Sequence, residues 1–519
     1  MNKTPFTIAS AVLLTGPCIT AHADSPDAEI GKLQQAIEQQ QVQLDAQQQQ
    51  LQNLLQAGLS SQDEPRWSMA YGRPTLSSGD GRSTLAIRAL VQADSAHYSQ
   101  DAAGPLATDY RRGSTGTTTP NRENNSARDL SDGTYFRRGR LGIEGTLNRD
   151  FNYNLTLELG GSGSEGAGKI TNAWVSYTGF APFTIQMGAF APIAGLDDSI
   201  APEDALFIEK AAPAEIARSL GGADGRTALA MRGSGARWMG SLALTGRTVA
   251  DAEVYDAQNA VVARIAGLAV TSTDYHLHLG ASGTYVLHPA NAIDSASAID
   301  LSSARYVLRF RNQPELRADS TRLIDTGNID ATHAYAAGAE LAGNWRNWFF
   351  QGEHFWYGIE RRLSTLSNPA FSGYYLEGSW MITGESRRYN MTNGSYQNPR
   401  PFVNVSSRGG WGAWELALRY SHTDMNYHEG IAGAATPADG VRGGVQNILT
   451  TGVNWYLNPN LKLVFNYLHI DVDRLNPSTT AFGSASSYPQ AAPAGSSPPV
   501  GVQIGQTLNA YALRVQYSL

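Results

Sequence analysis

Most of the chain alternates between apolar and polar positions. At its end Tyr511, Leu513, Val515, Tyr517 and Leu519 share one parity, and Ala512, Arg514, Gln516 and Ser518 the other. In 151–159 the same rule sets Phe151, Tyr153, Leu155, Leu157 and Leu159 against Asn152, Asn154, Thr156 and Glu158. Successive side chains of a strand point to opposite faces, so each such strand has a greasy face and a wet one. Further strands are predicted at 85–94, 135–147, 169–178, 183–190, 227–234, 237–248, 260–271, 274–287, 330–343, 346–359, 371–384, 411–425, 444–457 and 460–473; with 151–159 and 505–519 they make about sixteen. A soluble antiparallel sheet alternates in the same way. A strand that runs to the last residue, with an aromatic third from the end, favours an outer-membrane barrel, although Leu519 stands where Phe or Trp is usual.

The connections sort by length. Those at 148–150, 179–182, 235–236, 344–345 and 458–459 are tight, and those at 99–134, 191–226, 288–329, 426–443 and 474–504 are long. Short turns at one end and long loops at the other are the rule for bacterial barrels, as is an even strand number. The stretch 385–410 is a long connection on the turn side. Aromatics such as Trp345, Trp348, Phe349, Trp455 and Tyr456 crowd near the turns and suit an interfacial girdle. The expected fold class is all-β: an antiparallel transmembrane β-barrel of about sixteen strands, preceded by a short α-helical coiled coil.

That preceding part reads in three pieces. Residues 1–23 fit a signal peptide, with Lys3, an apolar centre at 8–14 and Ala21-His22-Ala23 before the cut. Residues 24–60 are Gln-rich, with Ile30, Leu33, Ile37, Leu44, Leu51 and Leu54 at heptad spacing. They predict a parallel periplasmic coiled coil, weakened by inward Gln40 and Gln47; a disordered Gln-rich linker is the bland reading. A linker at 61–83 then leads to the barrel, 84–519.

Composition narrows the function. The formal charge of −7 speaks against nucleic acid as a partner. The one cysteine, Cys18, falls in the signal segment, which leaves the mature chain no disulfide or thiolate chemistry. A mean hydropathy of −0.30 excludes a helical bundle in lipid but suits a barrel, whose residues are half polar.

Several segments resemble the phosphate-selective porin O/P family. They include 136–145 (Phe-Arg-Arg-Gly-Arg-Leu-Gly-Ile-Glu-Gly), 373–379, 383–387, 412–421 (Gly-Ala-Trp-Glu-Leu-Ala-Leu-Arg-Tyr-Ser) and 452–459, with weaker matches at 207–211 and 277–282. The set spans nearly the whole barrel in the right order. The resemblance implies a homotrimer of porin barrels in the outer membrane, each narrowed by inward loops, with entrance arginines and a central lysine site for anions. With five lysines in all, this chain departs from the family at that last point. The expected cargo is phosphate, polyphosphate or another small anion, and the remaining partner is membrane lipid. A general porin of the same build and a coiled-coil tether of the outer membrane are the alternatives.

An oxyanion leaving water has to be met by cations or N–H donors, and guanidinium forks match phosphate oxygens in pairs. Wet-face parity selects Arg138, Arg140, Arg232 and Arg419, with Arg88 and Arg514 beside them. In 288–329, Arg305, Arg309 and Arg311 share one side if the loop is extended, with Tyr306, Leu308 and Phe310 on the other. The loop 191–226 supplies Lys210, Arg218 and Arg226, and is net acidic through Asp197, Asp198, Glu203, Asp204, Glu209 and Glu215. The bland reading of each arginine is a wall salt bridge, for example with Glu144, Glu158, Glu340 or Glu377. No catalytic residue, cofactor or metal site is expected. Gly161–Gly166 matches a dinucleotide pattern but is followed by a strand, Glu353-His354 lacks the second histidine of a zincin, and His276 with His278 has no third ligand in view.

Overall fold

The structure, a computed structural model, describes residues 26–70, 72–100, 130–161, 167–249, 256–292, 305–362, 365–477, 500–501 and 503–519. The segment read as a signal peptide and the Gly161–Gly166 motif but for its first residue fall outside these. The chain divides into two units, 1–64 and 65–519. The first holds one helix, α1 (Pro26–Asp63). Among its described side chains Ile30, Leu33, Ile37, Leu44 and Leu51 are 53–60% exposed, an apolar stripe with nothing laid against it. Where a linker was expected, 66–70 and 73–77 form a hairpin whose second strand pairs with the first barrel strand.

The second unit is a closed barrel. Its strands are β1 (Thr84–Gln100), β2 (Gly133–Leu147), β3 (Phe151–Glu158), β4 (Lys169–Phe180), β5 (Phe183–Phe190), β6 (Arg226–Ser234), β7 (Trp238–Thr248) and β8 (Asn259–Thr271). They continue as β9 (Tyr275–His288), β10 (Ile329–Trp345), β11 (Trp348–Arg361), β12 (Ala370–Met381), β13 (Ala413–Tyr427), β14 (Val441–Tyr456), β15 (Leu461–Asp473) and β16 (Gln506–Ser518). Each pairs antiparallel with the next, and β16 closes on β1 through Arg514 opposite Asp94 and Val515 opposite Ala93. All sixteen segments read from alternation are strands. Closure removes the sheet edges that lipid could not satisfy.

The parity holds through to the last strand. Tyr511, Leu513, Val515 and Tyr517 face outward, while Arg514 and Gln516 are buried in the lumen. The tight turns are built from local chemistry: Asn148 and Arg149, both at positive φ (49° and 71°), reverse the chain between β2 and β3.

Three connections fold into the barrel, one of them the segment 308–328 through Leu308, Phe310, Leu316 and Leu323. The first, 191–225, carries α2 (Leu196–Ser199) and α3 (Ala212–Gly221). Helix α3 has Pro213 and Glu215 in its first turn and Arg218 in its last, so both charges suit its dipole. Its apolar face, Ile216 and Leu220, joins Leu308, Phe310, Phe355 and Tyr357 in a core inside the cylinder. Another is the long turn-side connection between β12 and β13. Its hairpin, 388–390 paired with 395–397, buries Tyr396 against Leu196, Leu206 and Phe349. This connection touches 191–225: the Asn398 backbone N–H donates to Asp204 at 2.8 Å, and its side-chain amide to the Glu203 carbonyl at 2.6 Å.

Candidate functional site

The inward loop 191–225 narrows the lumen where it lies against the wall of β1, β2 and β16, bonded to Arg137, Arg514 and Gln516. In β2 the register slips: Arg138 faces Gln92 but Phe136 faces Ala93, which leaves Arg137 as an extra residue. This bulge lets Arg137 and Arg138 both turn inward, where they are buried, while Phe136 stays outside. Strict alternation does not predict Arg137 on the wet face.

Wall and loop are joined by ion pairs. Arg137 donates to Glu209 through Nε at 2.5 Å and Nη2 at 3.0 Å. Arg514 bridges Asp94 at 2.7 Å and Glu209 at 3.3 Å. Arg88 holds Glu203 and Glu144, and Arg140 holds Glu158 and Asp224. Burial works against an ionised Glu209, yet Arg137, Arg317 and Arg138 hold its carboxyl far below the usual carboxylate range. Glu203, Glu209 and Asp224 of this loop are thus met by wall cations.

The other selected residues are spread over the lumen. Arg218 meets Asp198 and Asp224, both at 2.8 Å. Arg226 caps backbone, donating to the carbonyls of Gly222 and Gly246. Lys210 donates to the carbonyls of Asp197 and Ile200, and Arg232 to Asn393. Arg419 bonds the Glu209 carbonyl and Glu315 and lies over the Phe207 ring, with Glu377 at 3.6 Å. Arg309 is held by Asp325, while Leu308 and Phe310 are buried as expected. The side chain of Arg305 lies outside the described residues; its backbone pairs with Ala292. Arg311, half-buried, has no hydrogen bond or ion pair among the described residues, and the same is true of Arg322 beside it. Glu144, Glu158, Glu340 and Glu377 all serve as the wall partners anticipated for arginines.

Sequence reasoning passed over Arg137, Arg264, Arg317, Arg322 and Arg387. The parity of 260–271 already placed Arg264 inward; it forks onto Glu340 and donates to the carbonyls of Asn393 and Gly394. Arg387 sits in the turn-side insertion and pairs with Glu415 at 2.9 Å. His278 bonds Tyr389 and Glu340, and His276 stacks on Tyr396. No cluster of metal-ligating side chains is found among the described residues.

The contact between 191–225 and the turn-side connection is pH-sensitive. Burial, and then the neighbouring Glu203, push Asp204 up to about 6, although the Asn398 N–H and Arg387 favour its charged form. A detached aspartate titrates near ~3.9. Between about pH 4 and 6 the attached state therefore holds more protons than the detached one. Attachment is strongest at the acid end and weakens as pH rises to 6, by about 3 kcal/mol in all. Amide exchange at Asn398, corrected for its intrinsic pH dependence, should be slower at pH 5 than at pH 7, and Asp204→Asn should flatten the difference. Equal protection at both pH values in the unaltered protein contradicts this.

The cavity at the narrow part measures about 190 Å³ and is lined, among the described residues, by seven cationic side chains against five carboxylates. A polar, net-positive passage through a closed barrel can lower the cost of moving an anion out of water. Comparison with known proteins identifies the family. The model of the family "Phosphate-selective porin O and P" matches residues 115–484. An uncharacterized protein of Caulobacter vibrioides is 28% identical over 365 residues, 67% of this chain and 65% of that protein, so the match spans just under two thirds of this relative's length. Porin O of Pseudomonas aeruginosa is 24% identical over 374 residues, 67% of this chain and 78% of Porin O. An anion-selective porin from Comamonas acidovorans superposes with a TM-score of 0.43 at 12% identity, covering 84% of this chain and all of that one. With most of its barrel matched by the family model, the chain belongs to the phosphate-selective porin O and P family.

Proposed function

We propose that the protein is a homotrimeric porin for passive diffusion of small anions across the outer membrane, with inorganic phosphate as the principal cargo. The excess of cations lining the narrow part carries this reading. Arg311 and Arg322, whose guanidinium groups have no hydrogen bond or ion pair among the described residues, add positive charge toward the loop side. The exposed apolar stripe of α1 supports self-association of residues 24–60 as a parallel coiled coil in the periplasm.

A second reading, a channel for other small anions with no phosphate preference, is favoured by the lysines. Lys210 and Lys462 are both in the lumen, but each gives its ammonium to backbone carbonyls, so no lysine cluster forms there. One bilayer experiment separates the readings. In a salt gradient of potassium chloride the reversal potential should show anion preference, and added phosphate should reduce the chloride current. Anion preference without phosphate block selects the second reading, and no preference refutes both.

A further inference from the structure

The outer wall is not uniform. Bacterial barrels carry an apolar band roughly 25 Å tall toward the lipid. On β13–β16 the band gives way to hydrogen-bonding groups in a repeated arrangement. Asn447 Oδ1 accepts from the Tyr420 hydroxyl at 2.9 Å and faces His422 Nδ1 at 2.8 Å. Two strands on, Asn509 Oδ1 accepts from the Tyr467 hydroxyl at 2.8 Å and faces His469 Nδ1 at 2.9 Å. Both sets come from the same pattern, Tyr-x-His on one strand and Asn on the next. The direct register also joins His354, Tyr374, His422, Asn447, Asp471 and Thr507 in one row across β11–β16.

The chemistry left over is specific. An amide oxygen cannot donate, so each His Nδ1 carries the hydrogen and its Nε2 is an acceptor. Each Asn retains two N–H donors, for which no partner is found among the described residues. Tyr374 lies flat beside His354 and tilted against His422. Hydrocarbon tails would leave these groups unsatisfied at several kcal/mol each. Donors, acceptors and ring faces side by side are what a saccharide, with its paired hydroxyls and apolar C–H faces, requires.

Height and placement choose the occupant. Asn447 and Asn509 stand eight positions from the girdle residues Trp455 and Tyr517 on their own strands. At the tilt of a barrel strand that is roughly 20 Å, near the far edge of the band on the loop side. At the same level β2, β9 and β10 carry Gly139, Gly283 and Ala337. A subunit contact is better suited to the other side, where β3, β5 and β6 have only 8, 8 and 9 residues. Eight residues rise roughly 20 Å, too little to span the lipid band unaided. Asp471 lies in the row and Asp473 beside it, and no Lys or Arg occupies an outward position on β13–β16, which disfavours direct contact with phosphate.

We infer that the Tyr-x-His/Asn face of β13–β16 is a docking surface for the saccharide headgroup of an outer-leaflet glycolipid. It reads sugar hydroxyls and stands apart from the lumen. The full chain in detergent should take up lipid A in native mass spectrometry. The variant His422→Leu/Asn447→Leu/His469→Leu/Asn509→Leu should take up about tenfold less, since it loses several hydrogen bonds. Uptake of phosphatidylglycerol and subunit association should be unchanged. Undiminished lipid A uptake overturns the proposal, and so does a variant that falls apart into single chains, which would make the face a subunit contact. If the variant does not fold, carbethoxylation of the unaltered protein decides. Lipid A should protect His422 and His469 relative to the loop residue His428, and equal reaction rates with and without lipid A overturn the proposal.

Discussion

The double substitution Arg311→Ala/Arg322→Ala should lower the anion-over-cation permeability ratio about tenfold in dilute salt. These two guanidinium groups lie close to Arg309, Arg317 and Asp325, and neither forms an ion pair with a carboxylate among the described residues. A unit charge at about 12 Å from a passing ion in water is worth roughly 0.35 kcal/mol, attracting an anion and repelling a cation alike, so each charge changes the ratio about threefold and two such charges multiply. The effect should fade toward molar salt, where the screening length shrinks to about 3 Å. Arg309→Ala alone should do less, because Asp325 already offsets its charge. The check is the reversal potential of single mutants and the double mutant at low and high salt. An unchanged potential at low salt would place selectivity at the narrow part instead.

Glu209→Ala should have the largest effect on the architecture of the lumen. Its carboxylate is the common partner of Arg137, Arg514 and Arg317, contributed by two wall strands and a second inward loop. Removing one member of a buried ion cluster costs about 3–5 kcal/mol, because the surviving charges are left unpaired away from water. Arg514 keeps Asp94, whereas Arg137 loses the two hydrogen bonds that its Nε and Nη2 give to Glu209. The expected result is release of the 191–225 segment from the wall. Single-channel conductance should rise, current noise should grow, and the melting temperature should fall. Arg137→Ala should be milder, since Glu209 retains Arg514 and Arg317. Identical conductance in Glu209→Ala and the parent would show that the loop is held by its apolar contacts instead.

The wall was legible in the sequence because its signal is a period. Burying one face and exposing the other forces two-residue alternation, and every barrel strand obeys it closely enough to be placed. The one residue of consequence that parity missed in β2, Arg137, sits at a bulge, where the period breaks by one. The lumen contents were less legible. Nothing in the spacing of Arg309 announces Asp325 as its partner sixteen residues on, or Glu203 as the partner of Arg88 from another part of the chain. Such pairs depend on how two connections meet inside a cylinder, a relation of three-dimensional path that no local pattern records. Length was the only clue to the turn-side insertion: a connection far longer than its neighbours has to go somewhere, and it goes inward.

That insertion bears on the order in which the molecule can be put together. Residues 385–398 hang from β12 and β13, 191–225 hang from β5 and β6, and the two meet at Asn398 and Asp204 in the middle of the cylinder. One arrives from the turn end and the other from the loop end. The seam between β1 and β16 is the last join of the wall in sequence terms. A sheet still open at that seam admits both segments sideways, whereas a finished cylinder admits each only lengthwise through its own mouth. The contents of the pore and the timing of its closure are therefore one problem for the assembling chain.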